Sequence, residues 1–372
     1  MHSWNVEEEK RKSNCQQCTQ NDLPVVVLEA HVSIIIPVHN AELWLDECLK
    51  SVLAQKFSGS MQLSAYDDAS TDQSRAVLET YKQKMTEVGI DMVINGHTGI
   101  PAGVGAARNR AIAASSGQFL CFLDADDVMD SRRVEMQYAA AVSRPNTIVG
   151  CQFRRLPEGS TPRFTDWCNR LQPEQLYTQI YTSHGPPVAM PTWFCSRQVY
   201  VKVGKFDEGG KGVPEDLIFF MAHLWGGGEL FRVDTCLMTY RYHPTAATHS
   251  VHRDTIWAIQ VSSLEETVLS GWSQFTIWNA GKQGRRFYRS LRPENRAKVK
   301  SFCDVDEKKI QKGVYIYEES EQIPKPRIPI VHFTKATPPF IICVKQDLTG
   351  GSFEENLSSL NLKEGSDYFF CS

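Results

Sequence analysis

The 372-residue sequence has almost no net charge: Lys plus Arg number 40 and Asp plus Glu 43, a balance of −3. A field that weak draws a chain neither to nucleic acid nor to an anionic membrane, so neither is expected as a partner. Long apolar runs are missing too. The longest, near Val25–Leu28 and Ile34–Ile36, fall far short of a bilayer span, which needs about 20 residues, and no membrane span is expected. The first dozen residues include Glu7, Glu8, Glu9, Lys10, Arg11 and Lys12 without an apolar stretch, so no secretory leader is expected. Nor is there a disulfide framework. The 11 cysteines are odd in number and scattered through apolar stretches, as at Cys48, Cys121 and Cys343. Reduced, buried thiols in a cytoplasmic protein are the expectation. Cys15-x-x-Cys18 has no second pair at zinc spacing, so no zinc site is expected.

What is present is a globular composition, 42% apolar, 22% charged and 10% aromatic, which excludes disorder and fibre. The length suits two domains. Residues 1–29 read as a polar tail, 30–250 as the main domain, 251–270 as a linker helix and 271–372 as a smaller α/β module.

Val32–Val38 is a nearly continuous apolar run, as expected of a strand buried on both faces of a parallel sheet. Leu45, Cys48, Leu49, Val52 and Leu53 follow at helical spacing. Met61–Tyr66, Ile90–Ile94 and Phe119–Leu123 read as further strands, with helices after the first and before the last. This alternation predicts an α/β fold with a mostly parallel sheet, whose ligands bind beyond the carboxyl ends of the strands. Asn40, Asp67, Asp68, Asp124 and Asp126 all fall at such ends. From about 145 to 250 the pattern is irregular, around one strong helix beginning near Pro214.

Asp124-x-Asp126 suits a hard divalent cation that bridges to phosphate, although an acidic turn or helix cap has the same sequence. Asp67-Asp68-x-Ser70 can accept hydrogen bonds from a base or ribose, or cap the next helix. Gly103-x-Gly105 with Arg108 has the form of a phosphate cradle. Glu215-Asp216 opens a helix, and one of these acids could take a proton from an acceptor hydroxyl. His243 follows in a Tyr-Arg-Tyr-His run.

Taken in order, Val-Ser-Ile-Ile-Ile-Pro-Val-His-Asn, Asp-Asp-Ala-Ser-Thr-Asp, Gly-Ala-Ala-Arg-Asn, Phe-Leu-Asp-Ala-Asp-Asp and Pro-Glu-Asp closely resemble the glycosyltransferase family 2 catalytic domain. The resemblance covers about residues 30 to 250 and implies a GT-A type fold with metal-dependent, inverting transfer from a UDP-sugar to an unidentified hydroxyl acceptor. It implies that Asp68, with Asp67 and Ser70, holds uracil and that Pro37, Val38 and Asn40 line the base and ribose. Gly103 would flank the phosphates and Arg108 would reach the diphosphate. Asp124 would contact the ribose or a Mn²⁺ or Mg²⁺ ion, Asp126 would ligate that ion, and His243 would contact the ion or the phosphates. Asp216, beside Glu215, matches the general base. The second strand is more polar than usual for the family. The Q-x-x-R-W motif of processive members is missing, with only Trp257 nearby, which argues against a polysaccharide synthase.

Two other readings compete. A non-catalytic nucleotide-sugar-binding or scaffold protein would keep the fold, but the complete set of acids argues against it. An oxidoreductase could be built on the C-terminal unit, where a strand, Asn279-Ala280-Gly281-Lys282-Gln283-Gly284, a helix and Asp304 come close to a dinucleotide fingerprint. Asn279 stands there in place of the first glycine and no hydride-transfer site is evident, so the unit reads as a degenerate Rossmann-like module.

Overall fold

The computed structural model describes residues 30–372 except 183 and 347; the expected tail, with Cys15 and Cys18, lies outside the described residues. Nine free cysteines, eight of them buried, are found among the described residues.

β1 (Ala30–Val38) is buried along nearly its whole length. Its alternate side chains feed two different cores: Ile35 enters one apolar cluster, while Val32, Ile34, Ile36 and Val38 enter another. That is why the run is continuously apolar rather than alternating. Each buried aliphatic side chain contributes about 1.5–3 kcal/mol of transfer free energy. α1 (Glu42–Leu53) lays Leu45, Cys48, Leu49 and Val52 on the second core. β2 (Met61–Asp68), α2 (Ser74–Glu87), β3 (Ile90–His97), α3 (Val104–Ala113) and β4 (Gly117–Phe122) complete the alternation. A short β5 (Val128–Met129) precedes α4 (Arg133–Ala141).

The irregular middle holds more strand than the sequence suggests: β6 (Thr147–Leu156), β7 (Phe194–Ser196) and the 13-residue β8 (Glu229–Arg241), with α5 (Glu215–Trp225) before the last. The eight strands run in the order β3-β2-β1-β4-β7-β6-β8-β5. β3, β2, β1 and β4 are mutually parallel, and β7 pairs antiparallel with β4 and β6. The carboxyl ends of β2, β1 and β4 therefore share one rim. This is a GT-A-like α/β fold.

α6 (Arg253–Thr267) leads to a second sheet. β9 (Phe275–Trp278), α7 (Lys282–Ser290), β10 (Val299–Asp304), α8 (Glu307–Lys312), β11 (Val314–Ile316), β12 (Arg327–His332), β13 (Phe340–Ile342), α9 (Ser352–Ser358) and β14 (Tyr368–Phe370) follow. Its order is β11-β12-β10-β9-β13-β14, parallel except for β11 at the edge. The two sheets are not separate bodies. One apolar cluster includes Ile35 and Phe122 of the first, Trp257 and Leu264 of α6, and Phe275 and Ile341 of the second. Among the described residues no helix is long and apolar enough to cross a membrane.

Candidate active site

The rim is assembled by hydrogen bonds between segments far apart in sequence. After β1 the chain turns through Asn40, which takes a left-handed conformation, φ 48°. Asn40 donates its backbone N–H to the Ser70 hydroxyl at 2.9 Å and accepts from Thr71 N–H at 2.8 Å. Asp67 in turn accepts from Ser70 N–H at 3.0 Å. The turns after β1 and β2 thus brace each other. Pro37 and Val38 lie buried just below them.

Asp68 is 2% exposed. Its carboxylate accepts from the backbone N–H groups of Ala102 (3.0 Å) and Gly103 (2.7 Å). The acid expected to hold uracil is thus engaged in anchoring the glycine-rich loop. Gly103 has φ 99°, and a Cβ there would lie 2.8 Å from the Gly210 Cα. Only glycine meets both demands. At Gly105 a Cβ would lie 2.1 Å from the Asp207 carbonyl oxygen, so α3 packs directly on the segment leading into α5.

That packing decides the fate of Arg108. The side chain, expected to reach the diphosphate, is only 4% exposed and spans between two acids. One amino group donates to Asp124 Oδ1 at 2.8 Å and the other to Glu215 Oε1. Burial alone would lower its pKa, but the charges of Asp124 and Glu215 outweigh it and hold the guanidinium ionised. Arg108 therefore clamps the end of β4 to the start of α5.

Burial raises Glu215 to about 7 against the pull of Arg108, and the charge of Asp216 adds to the rise. Asp216 is partly exposed. Enclosure raises its pKa as well, while Arg108 and the Leu217 N–H, at 2.8 Å, oppose the rise.

On the other side of Asp124, His243 Nε2 lies 2.7 Å from Asp126 Oδ2. Trp44 of α1 stacks on the imidazole, with ring centroids 4.4 Å apart. Burial and the charge of Asp124 raise the Asp126 pKa, although the His243 hydrogen bond opposes this. Arg241 donates its backbone N–H to Asp127 Oδ1 (2.8 Å) and its Nε to the Asp126 carbonyl (2.8 Å). The expected metal-binding trio of Asp124, Asp126 and His243 does not form a ready-made cage. Asp124 is taken up by Arg108, and among the described residues no three His, Cys, Asp or Glu side chains are so arranged.

Sequence reasoning missed Trp44, and took Arg241 only as a guanidinium in the run that ends at His243. The available signal for Trp44 was an aromatic side chain beside, rather than on, the Leu45–Cys48–Leu49 face, close after a strand's carboxyl end. The specific role of Arg241, bracing Asp126 and Asp127, was not legible because it depends on where β8 ends.

Residues 33–204 match the family described as glycosyl transferase family 2. The chain is 25% identical over 225 residues to EpsJ, an uncharacterized glycosyltransferase of Bacillus subtilis, covering 58% of this chain and 62% of the relative. Over 107 residues, 28% of this chain and 39% of the relative, identity reaches 36% with WfgD of Escherichia coli, described as a UDP-Glc:alpha-D-GlcNAc-diphosphoundecaprenol beta-1,3-glucosyltransferase. The chain spans less than two thirds of the length of these curated relatives. The crystal structure of S. aureus TarS 1-349 in complex with UDP-GlcNAc shares the fold, with a TM-score of 0.50 and 17% identity over 71% of each chain.

Proposed function

We propose that the chain transfers a sugar from a UDP-sugar to a hydroxyl acceptor with inversion at the anomeric carbon. The observation that carries this reading is the chain of contacts from Asp126–His243 past Asp124 and Arg108 to Glu215–Asp216, at the carboxyl ends of the strands. In it, a paired acid and imidazole are set apart from a second pair of acids with raised pKa values, the separation that divides labour between leaving group and base.

Asp216 is the base in this reading. It is partly open to solvent, and its raised pKa brings it nearer to what proton removal from a hydroxyl requires. Arg108 and Glu215 position it, since they fix the first turn of α5 against α3. Asn40, Asp67, Ser70, Pro37 and Val38 form the wall for uracil and ribose, and Asp68 shapes that wall by holding Ala102 and Gly103.

A divalent ion fits the donors present. Mg²⁺ and Mn²⁺ take one or two protein ligands and complete their shells with water and phosphate oxygens, so Asp126 and His243 suffice. Such an ion would supply positive charge to the departing diphosphate. Asp124 remains with Arg108 and accepts from the ribose by its free oxygen.

The family 2 match and the UDP-GlcNAc bound by TarS support a UDP-sugar donor, with N-acetylglucosamine the sugar favoured. The whole chain also resembles the animal protein described as UDP-GlcNAc:β-galactose β-1,3-N-acetylglucosaminyltransferase-like protein 1, a likeness that by itself assigns no acceptor. The test is Asp216→Asn. Transfer or UDP-sugar hydrolysis is lost while UDP binding, followed by thermal shift with Mn²⁺, stays close to wild type. Unchanged turnover in this variant would refute the base assignment.

A further inference from the structure

The second sheet carries a crevice that sugar transfer does not use. Counted along the chain, its parallel strands β9, β10, β12, β13 and β14 lie in the order 3-2-1-4-5, so the connections leave in opposite directions between β9 and β13. In open parallel sheets ligands bind at that reversal, outside the carboxyl ends of the strands. A cavity of about 200 Å³ lies there. Trp278, Asn279, Asp304 and Lys309 line one side, and Val344, Phe353 and Asn356 are among the residues on the other.

The turn after β9 is built for close approach. Asn279 has φ 120°, a conformation costly for any residue but glycine. Its side chain accepts from Gly281 N–H at 2.7 Å and donates to the Cys343 carbonyl at 2.8 Å, bridging both sides of the crevice. A Cβ on Gly284 would lie 1.8 Å from the Asn279 carbonyl oxygen, so only glycine lets α7 begin this tightly against the strand. Asp304 then fixes the turn: it accepts from Ala280 N–H and Lys309 Nζ, both at 2.9 Å, and from the N–H groups of Val305 and Asp306. All its lone pairs are used, so the acid orients Lys309 rather than meeting a ligand. Lys309 Nζ, on the cavity wall, lies 3.5 Å from where a Cβ on Gly281, the residue just before α7, would sit. The N–H groups of the first turn of α7 lack intrahelical acceptors.

The walls beyond are apolar. Val305 is 52% exposed yet lines the cavity, beside Val344 and the buried Phe353. The Asn356 amide, which makes no hydrogen bond among the described residues, offers a donor and an acceptor side by side at the rim.

We propose that this crevice binds a nucleoside phosphate. The base packs against Val305, Val344 and Phe353 with its polar edge on the Asn356 amide, and the phosphate lies at the first turn of α7 beside Lys309. The site is separate from the stretch that matches glycosyl transferase family 2 and does not depend on the reading of that stretch.

The test is calorimetric titration of the full chain, with saturating UDP and Mn²⁺ to fill the other site, using AMP, GMP and NAD⁺ as probes. At least one probe binds with 1:1 stoichiometry; AMP or GMP binding marks a mononucleotide site and NAD⁺ binding alone a dinucleotide site. Ser352→Trp, which fills the crevice from its exposed rim, weakens that probe at least about tenfold, or 1.4 kcal/mol, while UDP affinity stays at the wild-type level. Asn356→Ala weakens it too and leaves the apolar wall intact. No binding of any probe up to about 1 mM, which corresponds to about −4 kcal/mol, or affinity unchanged in both variants, would overturn the proposal.

Discussion

His243 and Asp126 stand 117 residues apart in sequence, yet their side chains meet at 2.7 Å, held by the stacking of Trp44 on the imidazole. This contact closes β8 onto the end of β4 and defines one end of the candidate active site.

If that pair holds the divalent ion, its loss shows first in metal dependence. His243→Ala shifts the Mn²⁺ midpoint for UDP-sugar turnover upward, and Trp44→Ala, which only frees the ring, shifts it less, by about 10- to 100-fold as for residues that orient a ligand. Metal titration of initial rates checks this. An unmoved midpoint in His243→Ala would remove the residue from the ion's shell.

The pH profile follows from Asp216. Its folded pKa is raised by burial, and the deprotonated form is the one that accepts a proton. The rate therefore climbs with pH through a value above the ordinary 3.8 for aspartate and levels off once the acid has ionised. The pH dependence of kcat measures that limb; a rate independent of pH from 4 to 7, a span covering the usual carboxylate range, contradicts the assignment.

Arg108 is predicted to be the costliest single residue of the site to remove. Arg108→Ala leaves Glu215 and Asp124 facing each other without their buried cation. The loss is on the order of 3–5 kcal/mol, and Arg108→Lys recovers little because an ammonium cannot span both acids as a guanidinium does. Adding Glu215→Gln to Arg108→Ala restores part of the stability. Urea unfolding of the three variants gives the comparison.

Asp127 is fully buried, with Oδ1 on the Arg241 N–H and Oδ2 without a partner. Burial, then the charges of Asp126 and Asp124, raise its pKa well above 3.8. A raised carboxyl pKa means the folded state holds the proton longer than the unfolded chain. Its contribution to stability is therefore complete below the unfolded value and falls as pH rises toward the folded one. Asp127→Asn keeps the acceptor and removes the titration. The variant loses less stability between pH 5 and 8, a window above the unfolded carboxylate value, than wild type does. Parallel slopes in chemical denaturation would count against this.

The first four strands were legible because both faces of β1, β2 and β4 are buried, which leaves unbroken apolar or small-residue runs. Acids at strand ends were legible for the same topological reason. β6 and β8 escaped because each carries polar residues among its apolar ones, Arg154 and Arg155 in one, Arg232 and Asp234 in the other, and because their pairing shifts register twice near Cys151–Phe153. The placement of Arg108 could not be read from sequence either. Its burial depends on α3 pressing against residues 207–215 through Gly105, a contact between segments about a hundred positions apart.

The apolar cluster common to both sheets makes the polypeptide one cooperative unit rather than two beads on a string. Heating should melt it in a single step that every probe reports at the same temperature. A nucleoside phosphate seated in the crevice by Phe353 would then raise the melting point of the distant GT-A rim as much as that of its own surroundings, since neither half can come apart while the other stays closed.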